Sequence, residues 1–264
     1  MALDRPLINS SVPHSARIWN YWLGGKDCYE IDRQVGDQIR RLNPEIVDIA
    51  RAQRAFLKRA VTYLAGEAGI RQFLDVGTGL PTLDNTHEVA QGIAPEARIV
   101  YVDHDPVVLS HAHALLTSTP EGATDYIDAD LRAPETILRA AESTLDFGKP
   151  VALMLLGVAA HVPDDGAYAM VEHLKEALPA GSHLVFCDST EMFHAAEMRA
   201  MVERWNEASD NPRINRTPDQ LARFFDGFEL LEPGLVPVAE WRSGPAGPDE
   251  RRDVDSFGGV ALKG

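Results

Sequence analysis

From Arg71 onward the chain alternates short apolar runs with stretches of helical period. No other feature constrains its fold as strongly. The runs are Gln72–Val76, Arg98–Val102, Asp125–Ile127, Val151–Leu156 and His183–Cys187. Between them lie helical segments near Glu88–Ile93, Pro106–Leu116, Glu135–Ser143 and Gly166–Leu178. Strands separated by helices predict a parallel sheet with helices on both faces. A near-continuous apolar run such as Val151–Leu156 fits a strand covered on both sides.

The two ends of the chain differ from this middle. The first ~70 residues have helical period. Ser15–Leu23 is a helix stopped by Gly24-Gly25, Tyr29–Leu42 is a second, and a third opens at Pro44 and ends near Gly66. Thr190–Ala208 and Thr217–Phe225 are also expected to be helical. The tail has strand-like runs at Phe228–Leu231, Leu235–Val238 and Phe257–Leu262, too close for long crossovers, with a Gly/Pro-rich loop at Ser243–Arg252. The expected fold is α/β: five parallel strands, a β-rich end and a helical N-terminal extension.

The first strand runs into "FLDVGTGLPTLDNTHEVAQ". An acid, Asp75, interrupts its apolar run. Gly77 suits a tight turn, and Gly79 lets a ligand approach backbone. A dinucleotide fingerprint would place a third glycine at position 82, where this chain has Thr82. Pro81 and Asp84 also argue against a pyrophosphate turn. Asn85-Thr86-His87-Glu88 has the form of an N-cap with an acid three residues on, so the next helix should begin near Thr86. The loop suits a cationic or neutral ligand better than a phosphate.

In an open α/β sheet, ligands bind beyond the carboxyl ends of the strands. Asp103 ends the second strand, where an acid can accept two hydrogen bonds from ribose hydroxyls. Asp130 follows the third strand, where it can accept from an adenine amino group while Leu131 packs on the ring. Asp105, just before Pro106, reads as a helix cap.

These motifs resemble the class I S-adenosylmethionine-dependent methyltransferases. The stretches "HSARIWNYWLGGKDCYEIDRQ", "VYVDHDPVVLSHAHALL", "DADLRAP", "HVPDD", "LPAGSHLVFCDST" and "FGGV" narrow the resemblance. They point to the actinobacterial S-adenosyl methyltransferase family first catalogued as a domain of unknown function. The resemblance implies a doubly wound, Rossmann-like seven-stranded sheet ending in an antiparallel strand pair. Residues 1–69 would form a helical extension or lid, and residues 70–264 the methyltransferase domain. It also implies S-adenosylmethionine as cofactor and a GxGxPT loop in place of GxGxG. The chain departs from the family's Val-Leu-His run after the fourth strand, where it has Ala159-Ala160 before His161.

On this reading the candidate cofactor contacts are Tyr21, Gly25, Lys26, Gly77, Thr78, Gly79, Asp103, His104, Asp130, Leu131 and Gly157. "NYWLGGKD" has two readings. It can be a plain helix C-cap. It can also be a lid, with Tyr21 or Trp22 over the cofactor, Lys26 on the methionine carboxylate and an aromatic face beside the sulfonium. Trp19 is expected in the core. His161 is the candidate catalytic base, against the alternative of a hydrogen-bonded loop histidine. His87 and His104 flank the cofactor loops. His111 and His113 are two apart and do not share a helix face, so a metal pair is not expected. Arg51, Arg54, Lys58 and Arg59 read as a solvated helix face. Trp205, Trp241 and Phe224 can line an acceptor pocket, with at least two expected in the core.

A net charge of −15 over 264 residues disfavours a broad nucleic-acid surface and points to a small-molecule methyl acceptor. No apolar segment is long enough for a membrane span. The two cysteines, Cys28 and Cys187, fit no disulfide framework or metal spacing, which favours the cytoplasm. Two other functions fit the same sheet: a sensor that binds S-adenosylmethionine without turnover, and an NAD-dependent oxidoreductase. The missing third glycine disfavours the oxidoreductase.

Overall fold

The computed structural model describes residues 9–82, 84–108, 110, 117–244 and 253–264. Helices α1 (Ser15–Trp22), α2 (Glu30–Leu42) and α3 (Ile46–Gly66) come first. The alternating region follows: β1 (Gln72–Val76), α4 (Thr86–Ile93), β2 (Arg98–Asp103), β3 (Ala123–Asp128), α5 (Pro134–Ala141), β4 (Ala152–Leu156), α6 (Asp164–Glu176) and β5 (His183–Ser189). The chain ends with α7 (Ala195–Ala208), α8 (Pro218–Ala222), β6 (Glu229–Leu230), β7 (Val236–Pro237) and β8 (Ser256–Leu262).

The sheet order is β3-β2-β1-β4-β5-β8-β6, with β7 also paired to β8. β1 to β5 are parallel, and β8 lies antiparallel to β5. The expected seven-stranded sheet therefore has eight strands in seven positions. β6 pairs with the Ala261–Leu262 end of β8, and β7 with Phe257–Gly258. They are two pieces of one outer strand. Pro233, which has no N–H to donate, and the turn in which the Gly234 N–H meets the Leu231 carbonyl at 2.8 Å interrupt it.

The strand residues divide between two cores. Phe73, Ile99, Tyr101, Met154, Val185 and Cys187 face one core, which α1, α2, α3 and α7 complete through Ile18, Ile39, Phe56, Leu64 and Met201. Leu74, Val100, Val102, Leu153, Leu155 and Phe186 face the other, beneath α5 and α6. Alternation along each strand gives both faces apolar residues, which explains why these runs are continuous in sequence. Phe224 stacks on Phe186 at 4.4 Å, and Trp241 packs edge-on to Phe56 at 5.5 Å. Those two aromatics are core, as expected for two of the three candidates.

Gly258 explains part of the "FGGV" motif. A Cβ there would lie 2.6 Å from the Cys187 Cβ and 2.8 Å from the Phe186 carbonyl oxygen, so β8 pairs with β5 only with glycine at this position.

Several boundaries differ from expectation. β3 extends from Ala123, earlier than its apolar centre suggests, because it is an edge strand with polar residues facing outward. α7 begins at Ala195 rather than Thr190. The segment before it is held open by Asp255, whose carboxylate accepts the N–H groups of Met192 (2.6 Å), Phe193 (3.0 Å) and His194 (2.7 Å). Residues 106–108 and 110 are helical, but most of the expected Pro106–Leu116 helix, including His111 and His113, lies outside the described residues. So does 245–252 of the expected loop. No described helix is long and apolar enough to cross a membrane.

Candidate functional site

One cleft opens at the carboxyl edge of β1, β2, β3 and β4. α1 and α3 wall one side, and the segment around Asn211–Arg213 walls another. Its floor is the β1 loop. Gly77 has φ of +75° and Gly79 +66°, both in the region that favours glycine. A side chain at Gly77 would also collide with Val158. The loop is fixed from neighbouring strands: the Val102 carbonyl accepts the Gly77 N–H at 2.8 Å, and the Asp103 carboxylate accepts the Gly79 N–H at 2.8 Å.

Asp103 does more than line the pocket. Its Oδ1 accepts the N–H groups of His104 (2.8 Å) and Asp105 (3.0 Å), and its Oδ2 that of Gly79. A carboxylate offers about four acceptor sites. Three are occupied by backbone, so Oδ2 has room for one further donor.

Asp75 also lines the cleft, deep at the end of β1. Burial pushes its pKa up to about 6, against the Thr86 hydroxyl that donates to its Oδ2 at 2.6 Å and the nearby Arg54 guanidinium. Arg54 donates to Asn85 Oδ1 at 3.0 Å and lines the same cleft. Asn85 begins α4 as expected, its N–H donating to Glu88 at 2.8 Å.

The basic face of α3 therefore divides. Arg51 and Lys58 are exposed, as a solvated face requires. Arg54 turns into the cleft, and Arg59 donates to the carbonyls of Trp241 (2.8 Å) and Val238 (2.5 Å). A 21-residue helix with this many apolar positions has little free surface, so two of its four cations are drawn inward.

Of the predicted contacts, the cleft gathers Gly77, Thr78, Gly79, Asp103, His104, Asp130, Leu131, Gly157 and His161. Asp130 pairs with Arg132 at 3.3 Å, and Arg132 reaches the His161 carbonyl at the same distance. Tyr21, Gly25 and Lys26 are outside the lining. The Tyr21 hydroxyl donates to Asp37 at 2.8 Å, and the Trp22 indole N–H donates to the Gly36 carbonyl at 3.2 Å, so both aromatics face α2. Lys26 is exposed. The glycine pair is a Schellman C-cap: the Gly24 N–H meets the Tyr21 carbonyl at 3.0 Å and the Gly25 N–H the Asn20 carbonyl at 2.8 Å, with Gly24 at φ +86°. Gly25 packs directly on the Asn20 side chain, and Asn20 lines the cleft.

The lid reading thus chose the wrong side of α1. Ser15, Ala16, Trp19, Asn20 and Leu23 face the cleft. Trp19, expected in the core, is the α1 aromatic that lines the cleft, with Trp205 on another wall. At about 100° per residue these positions form one stripe and Tyr21 points away from it. The periodicity was readable in sequence, but not which stripe met the sheet edge.

His161 follows β4 and tilts against Trp205 at 5.9 Å. Its Nδ1 lies 3.2 Å from the Pro212 carbonyl. A carbonyl only accepts, so Nδ1 carries the hydrogen and Nε2 the lone pair. Burial, helped by the Arg213 guanidinium, pushes its pKa down to about 3. The ring is neutral at ordinary pH and weakly basic. His87 is buried away from the cleft, its N–H and Nδ1 at 2.8 and 2.9 Å from the Tyr101 hydroxyl.

Sequence reasoning missed Asp75, Arg54, Trp19, Asn20, Gln53 and Arg213 as cleft residues. Only Asp75 had a signal, an acid inside an apolar strand.

Residues 1–264 match the model of a family described as S-adenosyl methyltransferase. The chain belongs to that family. A DUF574 family protein of solved structure from Streptomyces avermitilis is similar over 98% of this chain and 100% of its own, at 43% identity and a TM-score of 0.94. A Thermobifida fusca protein solved as a candidate methyltransferase is similar over 100% and 99%, at 38% identity and a TM-score of 0.89. Magnesium protoporphyrin IX methyltransferase from Synechocystis, solved with bound S-adenosylmethionine, shares the fold at 15% identity and a TM-score of 0.52, over 94% of this chain and 90% of its own. No curated protein matches the chain. The protein is a SAM-dependent methyltransferase of Rossmann-like fold, and its cofactor is S-adenosylmethionine. The cleft of this methyltransferase suits that cofactor chemically: Asp75 is a deeply buried carboxylate that a bound cation would compensate, beside a loop whose glycines bring backbone to the ligand.

Proposed function

We propose that the protein transfers the methyl group of S-adenosylmethionine in line to a small-molecule acceptor held between His161, Trp205 and Arg213. The observation that carries this reading is the Gly79–Asp103 hydrogen bond, which joins the glycine loop of β1 to the strand-end acid of β2 in one wall. When bound, S-adenosylmethionine supplies a methyl group on positively charged sulfur, and the S–C bonding pair returns to sulfur as the acceptor's lone pair forms the new bond.

The chain's own residues bind and orient. Asp75 would hold the α-ammonium group, and Arg54, which lines the cleft, would hold the α-carboxylate in place of Lys26. Asp103 takes one ribose hydroxyl through Oδ2. Asp130 receives the adenine amino group, and Leu131 packs on the ring. Trp19 would cover the cofactor from α1, so the N-terminal helices supply the cleft's cover. Holding nucleophile and methyl in line can contribute roughly 7–11 kcal/mol.

In this reading His161, the candidate base, orients the acceptor rather than taking its proton. With a pKa of about 3 it orients an acceptor by accepting a hydrogen bond at Nε2. A neutral amine, thiolate or carboxylate nucleophile needs no base.

Calorimetry with S-adenosylmethionine, S-adenosylhomocysteine and NAD tests the reading. Binding of both sulfur nucleotides and not NAD supports it; the reverse rejects it. Release of S-adenosylhomocysteine against acceptor panels separates turnover from sensing.

A further inference from the structure

Arg213 sits in the cleft wall, yet little of its hydrogen-bonding capacity is used. Its residue is only 3% exposed, and it lines the cleft beside His161, Trp205 and Asn211. A guanidinium carries five N–H donors in a planar fork. Among the described residues, the Arg213 side chain makes one hydrogen bond, from Nη2 to Ser189 Oγ at 2.9 Å, and its Nε is buried without a partner. It forms no ion pair within 4 Å among the described residues.

Its neighbours are arranged to hold it there. The Asn206 side chain accepts the Arg213 N–H at 2.8 Å and donates to the Arg213 carbonyl at 3.0 Å, clamping the backbone on both sides. The next residue is tied as well, the Ile214 N–H meeting the Ala160 carbonyl at 2.9 Å. The guanidinium lies 5.5 Å over the Trp205 ring. Burying a charge without a hydrogen-bonded partner is costly, so so much fixed structure around an under-used cation implies a ligand that completes it.

The nearest acid, Asp188, favours the charge on Arg213, but among the described residues it neither hydrogen-bonds to it nor comes within 4 Å of it. Asp188 is buried, but its Oδ1 accepts the Ser189 N–H at 2.8 Å and its Oδ2 lies 3.8 Å from Arg216. Arg216, by contrast, donates to Asp164 at 2.8 Å and to the carbonyls of Ala159 (2.9 Å) and Val162 (2.7 Å). Two buried guanidinia thus share Asp188, and only Arg213 lines the cleft.

We infer that Arg213 is the anchor for a carboxylate on the methyl acceptor, so that the substrates are small organic acids. The inference rests on the methyltransferase reading and adds the substrate class. A carboxylate matches the guanidinium fork in two parallel hydrogen bonds. The cofactor has a carboxylate of its own, but Arg54 lies beside Asp75 and the α4 start, whereas Arg213 lies beyond β4 and β5, next to His161.

The test titrates the full-length protein with benzoate and with benzamide, with and without S-adenosylhomocysteine, by calorimetry. Benzoate should bind at least tenfold more tightly than benzamide, and Arg213→Lys should remove that preference. Equal affinity for acid and amide, or no benzoate binding, overturns the inference. Arg213→Lys should leave S-adenosylhomocysteine affinity within threefold. A tenfold loss, with 5′-methylthioadenosine binding unchanged, would assign Arg213 to the cofactor's carboxylate and also overturn it. Should the variant fail to fold, wild-type crystals soaked in 4-bromobenzoate decide: carboxylate density on Arg213 supports the anchor, and bromine located elsewhere or nowhere rejects it. If wild type fails to bind S-adenosylhomocysteine, the cofactor reading falls, while the benzoate arm without nucleotide still reads Arg213.

Discussion

The Asp103 carboxylate receives the Gly79 N–H at 2.8 Å across two neighbouring strands. This one contact makes the β2 acid part of the β1 loop. Asp103→Ala should therefore lose a ligand hydrogen bond and a loop anchor together. S-adenosylhomocysteine affinity should fall by ~1–3 kcal/mol, the range for hydrogen bonds to an ionised group. Calorimetry on the folded variant checks this; unchanged affinity would remove Asp103 from the ribose.

Asp75 gives the cofactor site a pH dependence. Its pKa is about 6, against an ordinary 3.8. Between those values the folded protein retains a proton that the unfolded chain has released. The stability this group contributes is thus present below about 3.8 and lost as pH rises through about 6. Binding runs the other way, because only the carboxylate form attracts an ammonium group. S-adenosylhomocysteine affinity should be roughly tenfold weaker at one pH unit below the pKa than on the plateau above it. Asp75→Asn should bind weakly at every pH, with a flat profile.

His161 should leave no ionisation near 6.5 in the rate profile. Its folded pKa, about 3, lies below the ordinary 6.5. The neutral ring is matched to the fold above pH 6.5, and stability is lost as pH falls from there toward 3, where the unfolded chain takes up the proton first. His161→Gln should show a shallower loss of melting temperature over that window. Its kcat should fall less than 10-fold, well short of the 10²–10⁴ for a lost general base. A larger loss, with a wild-type rate rising through pH 6.5, would restore His161 as the base.

Asp255 should be the most sensitive single acid for stability. It is buried and receives three successive N–H groups ahead of α7, as well as the Thr190 hydroxyl at 3.2 Å. Asp255→Ala strands several of these donors at once. Chemical denaturation should register a loss of at least ~1–3 kcal/mol, the cost of one buried unsatisfied group. A change below 0.5 kcal/mol would mean that water replaces the carboxylate.

The fold was legible because its signals are local. Runs such as Val151–Leu156 are apolar on both faces, so they could only be covered strands. The α4 start at Thr86 was legible for the same reason, through Asn85 and Glu88. The separate runs that became β6 and β7 were legible too; that both pair with β8 as pieces of one outer strand was not, because it depends on how the Leu231–Gly234 turn meets β8. The start of α7 was also hidden, since helical period from Thr190 onward is overridden by Asp255, about sixty residues away in sequence.

At the site the division is similar. Spacing along the chain was enough to bring Gly77, Gly79, Asp103 and Asp130 together, because parallel βα units place successive strand ends side by side. Tertiary packing decided the rest. It turned Trp19 rather than Tyr21 toward the cleft, drew Arg54 inward from a face that reads as solvated, and buried Arg213 where no motif marks it. Whether a segment forms a covered strand is set by the apolar pattern within its own few residues. The direction a helix faces, and the charge a cleft can hold, depend on partners far away in sequence.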